Sequence, residues 1–414
     1  MNKAPIAFRN AQLIDGTGRD SYRGSIVVAG GRITAVGPGE PDTDGDTTTV
    51  DATGLAVLPG MIDAHVHLAL NGGAESSSGV ESDDAFAVLR FAADMERTLR
   101  AGFTVVRDLG GRNYIEMSLR EAIERGITPG PRLRLCGKIV SMTTPGTDFY
   151  PGMYREADGP DEVRKAAREQ LKHGADVIKL MATGAGFAPG EDPKATQYSE
   201  EEMRAAVEEA HHQNRTAAAH AEGIDGIRNA VNAGIDTIEH GDYLIEDEQV
   251  ARKMAERGVA LVPTMNLYDA ILTSSEQSSV PDFILHNVRV LADANRRSFQ
   301  MALELGVPIA LGTDGGTAFN RHGENARELQ LMVAAGMTPA QAIHAATGAA
   351  AKAVGLHAET GTLEVGKAAD LVIVTRDPTT DIDVLTRPDE FALVMKRGSV
   401  VSASEAVLGQ PLGA

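Results

Sequence analysis

Leu58-Pro-Gly-Met61-Ile-Asp-Ala-His65-Val-His67 is a short apolar run that closes on two histidines, and it opens a pattern that fills most of the chain. Seven similar runs follow, at 104–109, 132–137, 175–181, 216–221, 236–241, 259–264 and 308–313. Helical patterns separate them, at 85–101, 114–125, 161–173, 199–213, 224–233, 246–257, 282–305 and 323–335. Ser199-Glu-Glu-Glu202 marks one helix start, because the serine and the third glutamate can each satisfy an orphan N–H of the first turn. Eight β runs alternating with eight helices over 57–360 predict an α/β fold of the (β/α)8 TIM-barrel type. A doubly wound open sheet is the alternative, but no Gly-x-Gly-x-x-Gly follows the first strand to support a nucleotide-binding version.

The flanks have a different character. Residues 1–56 and 361–414 read as short strands with tight turns; Ser25-Ile-Val-Val-Ala-Gly-Gly-Arg-Ile-Thr-Ala-Val36 is a hairpin signal around Gly-Gly. Asp370–Thr375 and Phe391–Val401 repeat that character near the other end. Neither flank has enough strands for a stable sheet, so the two are expected to form one small β-sandwich domain from both chain ends.

Composition narrows the function. At 414 residues, with 43% hydrophobic and 23% charged residues, the chain is globular, and its 44 glycines show no three-residue period. Acidic residues outnumber basic ones by 58 to 39, a formal charge of −19, which disfavours nucleic-acid and membrane-surface partners. Aromatics reach 4% without tryptophan, too few for a base-stacking platform. The single cysteine, Cys136, cannot form an intrachain disulfide and reads as a small buried filler in a strand. Met1–Asn10 lacks the apolar stretch of a signal peptide, and no run approaches the roughly 18 residues of a membrane span, so a cytoplasmic protein is expected.

The histidines carry the chemistry. His65 and His67, two apart on a strand, share a face. His220 and His240 each close a short strand, Thr216-Ala-Ala-Ala-His220 and Thr237-Ile-Glu-His240. In a barrel all four point at the C-terminal mouth, a convergence that packing alone does not explain. His173, His211, His212, His286, His344 and His357 fall in or beside helices, where packing or surface roles suffice. Lys179, in Asp176-Val-Ile-Lys-Leu-Met181, shares the inward face with Val177 and Met181, and a buried ammonium is costly unless neutralised or paired. It could form a Schiff base, react with CO2 to a carbamate that bridges two metal ions, or snorkel to the rim; the neighbouring histidines favour the carbamate. Asp314, closing Ile309-Ala-Leu-Gly-Thr-Asp314-Gly-Gly316, would stand beside His65 and His67 in a closed barrel, able to bind metal and move a proton; a helix cap is the plainer alternative. This donor set points to two divalent ions, zinc foremost, at a centre that stays net positive.

These motifs resemble the amidohydrolase superfamily over nearly the whole length. Leu58–His67 looks like its opening metal motif, and Ile178-Lys179, His220, Ile238-Glu-His240-Gly and Gly312-Thr-Asp314 match the later ligand positions in order. Gly361-Thr-Leu-Glu-Val-Gly-Lys-Ala-Ala-Asp-Leu-Val372 resembles the return into the terminal β domain. Ala182-Thr-Gly-Ala185, Gln197–Glu202 and Glu209-Ala-His211 are similar to the prolidase-like and carboxypeptidase-like binuclear branch. The resemblance implies a homo-oligomeric hydrolase of dipeptide or N-acyl amino acid amides. It also implies that Tyr243 polarises the scissile carbonyl. One departure stands out: Thr144-Pro-Gly-Thr147 occupies the place of a Gly-Gly-His loop after strand three.

The expected mechanism follows. His65, His67 and Asp314 hold one metal, His220 and His240 the other, and carboxylated Lys179 bridges them. A bridging hydroxide attacks a small-molecule amide, and Asp314 moves the proton to the leaving amine. Arg321 and His322, after strand eight, are candidate binders of a substrate carboxylate, with rim charge the alternative. The rivals are a binuclear lactone, ester or phosphotriester hydrolase, a deaminase on the same barrel, and a scaffold without activity. Loops at Leu70–Asp84, Ser141–Arg155, Asn266–Asp282 and Thr317–Gly323 are expected to set substrate choice.

Overall fold

The computed structural model describes residues 4–41, 45–74, 80, 83–274, 282–404 and 407. Parts of two loops assigned above to substrate choice, 75–79, 81–82 and 275–281, lie outside them.

Both chain ends build one hydrogen-bonded sheet. Its strands run in the order Ser399–Ala403, Phe391–Lys396, Leu371–Val374, Ala56–Pro59, Ile6–Leu13, Tyr22–Ala29 and Arg32–Gly37, with Thr48–Asp51 also pairing Ile6–Leu13. Gly30 and Gly31 both take positive φ, 57° and 78°, the conformation that a two-residue hairpin with strand-matching twist requires. The sheet closes over its own core of Phe8, Leu13, Ile26, Ile33, Val57, Leu371 and Leu393.

The middle of the chain is a parallel α/β barrel. One arc holds Met61–Val66, Phe103–Asp108 and Arg132–Leu135; the other holds Val177–Met181, Thr216–Ala221, Thr237–His240 and Ala260–Val262. Outward residues such as Ile178, Ala219, Ile238 and Leu261 bury against the helices in one large cluster. Inside, Cys136 packs with Leu109, Val177 and Ala218, the small filler expected of it.

The eighth β segment departs from expectation. Residues 308–313 make only an isolated bridge, Ile309 to Leu261, rather than a ladder. Pro308 has no N–H to donate, and the Leu311 N–H goes instead to Ala345 O (2.9 Å) on a helix. The segment still joins the arcs: Leu261 N donates to Pro308 O (2.8 Å), Ala64 N to Leu311 O (2.9 Å) and His67 N to Gly315 O (2.8 Å). On the opposite side Asp176 N donates to Leu135 O (2.7 Å). Strand three stops at Leu135, short of the expected 137, and a ribbon of Ile139–Ser141 and Tyr154–Glu156 follows.

The helices start and stop where local chemistry dictates. Ser199 and Glu202 form the capping box of Glu200–His212. Pro160 opens Pro160–Lys172 at the first helical position, with Asp161 and Glu162 against the positive end of the dipole. Gly234 and Gly258 end two others in the left-handed conformation. Met265–Ser274, Pro339–Ala345 and Gly348–Ala353 are additional helices. Among the described residues no helix is long and apolar enough to cross a membrane.

Asp176 fastens the arc junction away from the mouth. It accepts from the Leu135 N–H (3.2 Å), Arg120 (2.7 Å) and Arg134 (2.9 Å). Removing this largely buried carboxylate leaves two guanidinium groups and an amide uncompensated. Asp176→Ala should therefore lower unfolding stability by about 3 kcal/mol, read as a reduced midpoint in urea with native secondary structure retained.

Candidate metal centre

Four histidines and one aspartate meet at the barrel mouth. His65 is the penultimate residue of the strand Met61–Val66 and His67 lies one residue beyond its end; Asp314 turns off the bridging segment beside them. Asp314 Oδ1 lies 3.3 Å from His65 Nε2 and 3.2 Å from His67 Nε2, and those two nitrogens are 3.4 Å apart. The His240 ring stands 5.1 Å from that of His65 and 4.6 Å from that of His220. Donor atoms of His65, His240 and Asp314 all fall within 4.8 Å of one another.

Three of the four rings, His65, His220 and His240, are held by the atom turned away from that centre. His65 Nδ1 faces Glu239 Oε2 at 2.9 Å, and His240 Nδ1 faces Thr264 Oγ1 at 2.8 Å. His220 does the reverse: its Nε2 meets Gly184 O and Glu222 Oε1, each at 3.1 Å, which leaves Nδ1 for the centre. Such outer partners fix tautomer and ring plane before a metal arrives. His240, Thr264 and Asp314 all take left-handed backbone (φ 70°, 51° and 59°), strain that non-glycine residues bear where side-chain direction matters. Gly316, at φ 103°, lies so close to His67 that a Cβ there would come within 2.4 Å of the His67 carbonyl oxygen.

Lys179 lies in the barrel interior with 2% exposure. Burial pushes its ammonium down to about 8, against the opposing pull of Glu239 and Asp314. Burial, then the Lys179 charge, pushes His65 and His220 down to about 4. His240 falls well below the usual imidazole range through burial and its neighbours His220 and His65. These rings are therefore neutral donors at physiological pH. Burial resists ionisation of Asp314, yet His65, His67 and His240 hold its carboxyl well below the usual range.

Two residues that pattern reading passed over organise the interior. Arg107, wholly buried, donates to Ala64 O (2.5 Å), Thr237 Oγ1 (3.2 Å) and Glu239 Oε1 (2.9 Å). Burial raises the Glu239 carboxyl, but Arg107, His65 and Lys179 outweigh it and bring it to about 2. The signal was there: period two puts Thr237 and Glu239 inward, and an inward glutamate demands a cation. Asp63 was also missed; it accepts from His65 N (3.0 Å), Thr313 Oγ1 (2.7 Å) and Asn325 Nδ2 (2.6 Å), pinning the first strand to the Asp314 segment.

The centre opens into a cavity of about 660 Å³, counting its mouth. His65, His67, Lys179, His220, His240 and Asp314 all line it, with Tyr150, Met153, Tyr154, Phe187, Glu222 and Leu267 among the others. Three residues nominated from sequence are not among the lining residues. Tyr243 lies with Lys194 Nζ 3.8 Å from its ring centroid. Arg321 is exposed, and His322 is buried with Nε2 on the His67 carbonyl (3.2 Å). Thr144-Pro-Gly-Thr147 forms part of a short turn, with Thr144 Oγ1 donating to Glu191 Oε1 (2.9 Å).

The donor set fits a divalent cation. Asp314 Oδ1 is buried without a hydrogen-bond donor, and the Nε2 atoms of His65 and His67 face it. A parallel barrel with such donors at its strand ends has the architecture of a metal-dependent hydrolase, and the family match makes it one that acts on carbon–nitrogen bonds. Residues 56–401 match the amidohydrolase family, and the chain belongs to that family, in its prolidase-like branch. Divalent metals are general in it. Ochratoxinase from Aspergillus niger is 34% identical over 373 residues, covering 83% of this chain and 75% of that enzyme. A crystal structure of an amidohydrolase superposes with TM-score 0.88 at 31% identity, over 97% of this chain and 99% of the other. A Xaa-Pro dipeptidase with methionine bound in its active site gives 0.85 at 31%, over 96% and 99%.

Two predictions follow from the ring supports. Glu239→Gln should weaken zinc binding about 10- to 100-fold by loosening His65, measured by competition with a chelating dye. Because His65 and His220 stay neutral until pH approaches about 4, chelator-stripped protein should still take up zinc at about pH 5.5, as metal analysis after desalting will show.

Proposed function

We propose that the protein hydrolyses an amide bond of a small molecule, of the peptide or N-acyl type, at a binuclear metal centre. The observation that carries this reading is the meeting of His65, His240 and Asp314 around one point, with His67 Nε2 3.2 Å from Asp314 Oδ1 and that oxygen lacking any donor. His65, His67 and Asp314 are assigned to one ion and His220 and His240 to the other, with zinc first by donor type. When bound, such ions supply Lewis acidity, lowering the pKa of water and polarising a carbonyl.

The chain's own groups do the rest. Glu239 and Thr264 hold His65 and His240 in one tautomer. Burial lowers the Lys179 ammonium to about 8, so a fraction of it is the neutral amine near neutral pH and that fraction rises as pH rises. Its nitrogen would add to CO2, forming one C–N bond and releasing one proton, and the resulting carbamate, with one negative charge shared over two oxygens, would be a further metal-holding group. Asp314, held ionised, accepts a proton from the attacking water and returns it to the leaving amine.

Asp314→Asn should keep roughly the same fold and lose about three or more orders of magnitude in kcat on any amide substrate; near-normal turnover sinks the acid–base assignment. Protein exchanged into 13C-bicarbonate should show a carbamate carbon signal by NMR, lost in Lys179→Met. A wild-type spectrum without that signal removes the bridging anion from the reading.

A further inference from the structure

The cavity wall beyond the metal-facing groups is apolar and aromatic: Ile139, Met153, Tyr154, Met181, Phe187 and Leu267. Among the described lining residues, basic groups are confined to the four histidines and Lys179, all within the centre itself. The basic side chains nearby are engaged elsewhere. Arg155 pairs with Glu169 (2.7 Å). Arg90 donates to the carbonyls of Leu68, Ala69 and Leu70 and to Asp94. Lys194 pairs with Glu246 (2.7 Å). Arg321 is exposed and not among the lining residues.

Outside the centre one acidic group among the described lining residues, by contrast, faces the space. Glu222 lines it, with Oε2 buried and without a donor. A substrate carboxylate seated against this wall would lose its hydration and meet no pairing cation among the described lining residues outside the centre. An uncharged apolar flank would lose only unfavourable contact with water.

We infer that the substrate is an amide without a carboxylate, whose uncharged apolar or aromatic flank rests against Met153, Tyr154, Phe187 and Leu267. This rests on the amide-hydrolase reading and narrows it, setting this site apart from one built for free dipeptides or N-acyl amino acids. Met153 and Phe187 are then specificity-determining contacts, and the turn at Thr144–Thr147 needs no cationic group.

The test uses two compounds that differ only in a carboxylate, N-benzoylphenethylamine and N-benzoylphenylalanine, with the zinc-loaded full-length protein. Binding is followed by calorimetry where a compound is not turned over, and kcat/KM where it is. The neutral compound should be favoured about tenfold or more. Equal treatment, preference for the acid, or binding of neither overturns the inference. A neutral preference in binding with no benzoate released from any amide sinks the hydrolase reading instead and leaves the site's selectivity standing. Met153→Arg should shift the ratio toward the acid; a folded variant with an unchanged ratio removes the flank from that wall.

Discussion

The barrel is organised around one buried carboxylate. Glu239 lies in the interior with no exposure, and its charge is tolerated because Arg107 and His65 take one oxygen each. Remove Arg107 and the glutamate favours its neutral form; remove Glu239 and a wholly buried guanidinium is stranded. The arrangement also links three strands, since Arg107 lies on Phe103–Asp108, Glu239 on Thr237–His240 and His65 on Met61–Val66. Interior polarity here is a structural necessity as much as a catalytic one: an apolar filling could close the barrel but could not orient His65.

Much of this was legible in the sequence. The alternation of short apolar runs with capped helices gives the barrel, and histidines at strand ends give the mouth. Lys179, His220, His240 and Asp314 all line the cavity because strand alternation and strand termination are local properties, readable without knowing the fold. What stayed hidden depends on pairing across distance. Glu239 and Arg107 are 132 positions apart, and Asp63 and Asn325 are 262 apart. The eighth segment misled for the opposite reason: its composition is strand-like, but Pro308 and the diversion of the Leu311 N–H to Ala345 break the ladder. Tyr243, Arg321 and His322 were nominated by likeness or by position after a strand, and they are not among the residues that line the cavity.

Charge looks different at two scales. The surface carries a large acidic excess, while the centre combines neutral imidazoles with a lysine lowered by burial. Desolvation does most of this work. It holds the His65, His220 and His240 rings unprotonated in close company.

The sheet built from both chain ends has a consequence for synthesis. Ala56–Pro59 lies between Ile6–Leu13 and Leu371–Val374, bonded to both. The strands made first by the ribosome therefore wait for more than three hundred later residues before their edge is covered. During that interval Leu58 and its neighbours are an open strand margin available to other nascent chains. Chaperone demand and sensitivity to C-terminal truncation should thus fall most heavily on the part of the molecule farthest from its chemistry.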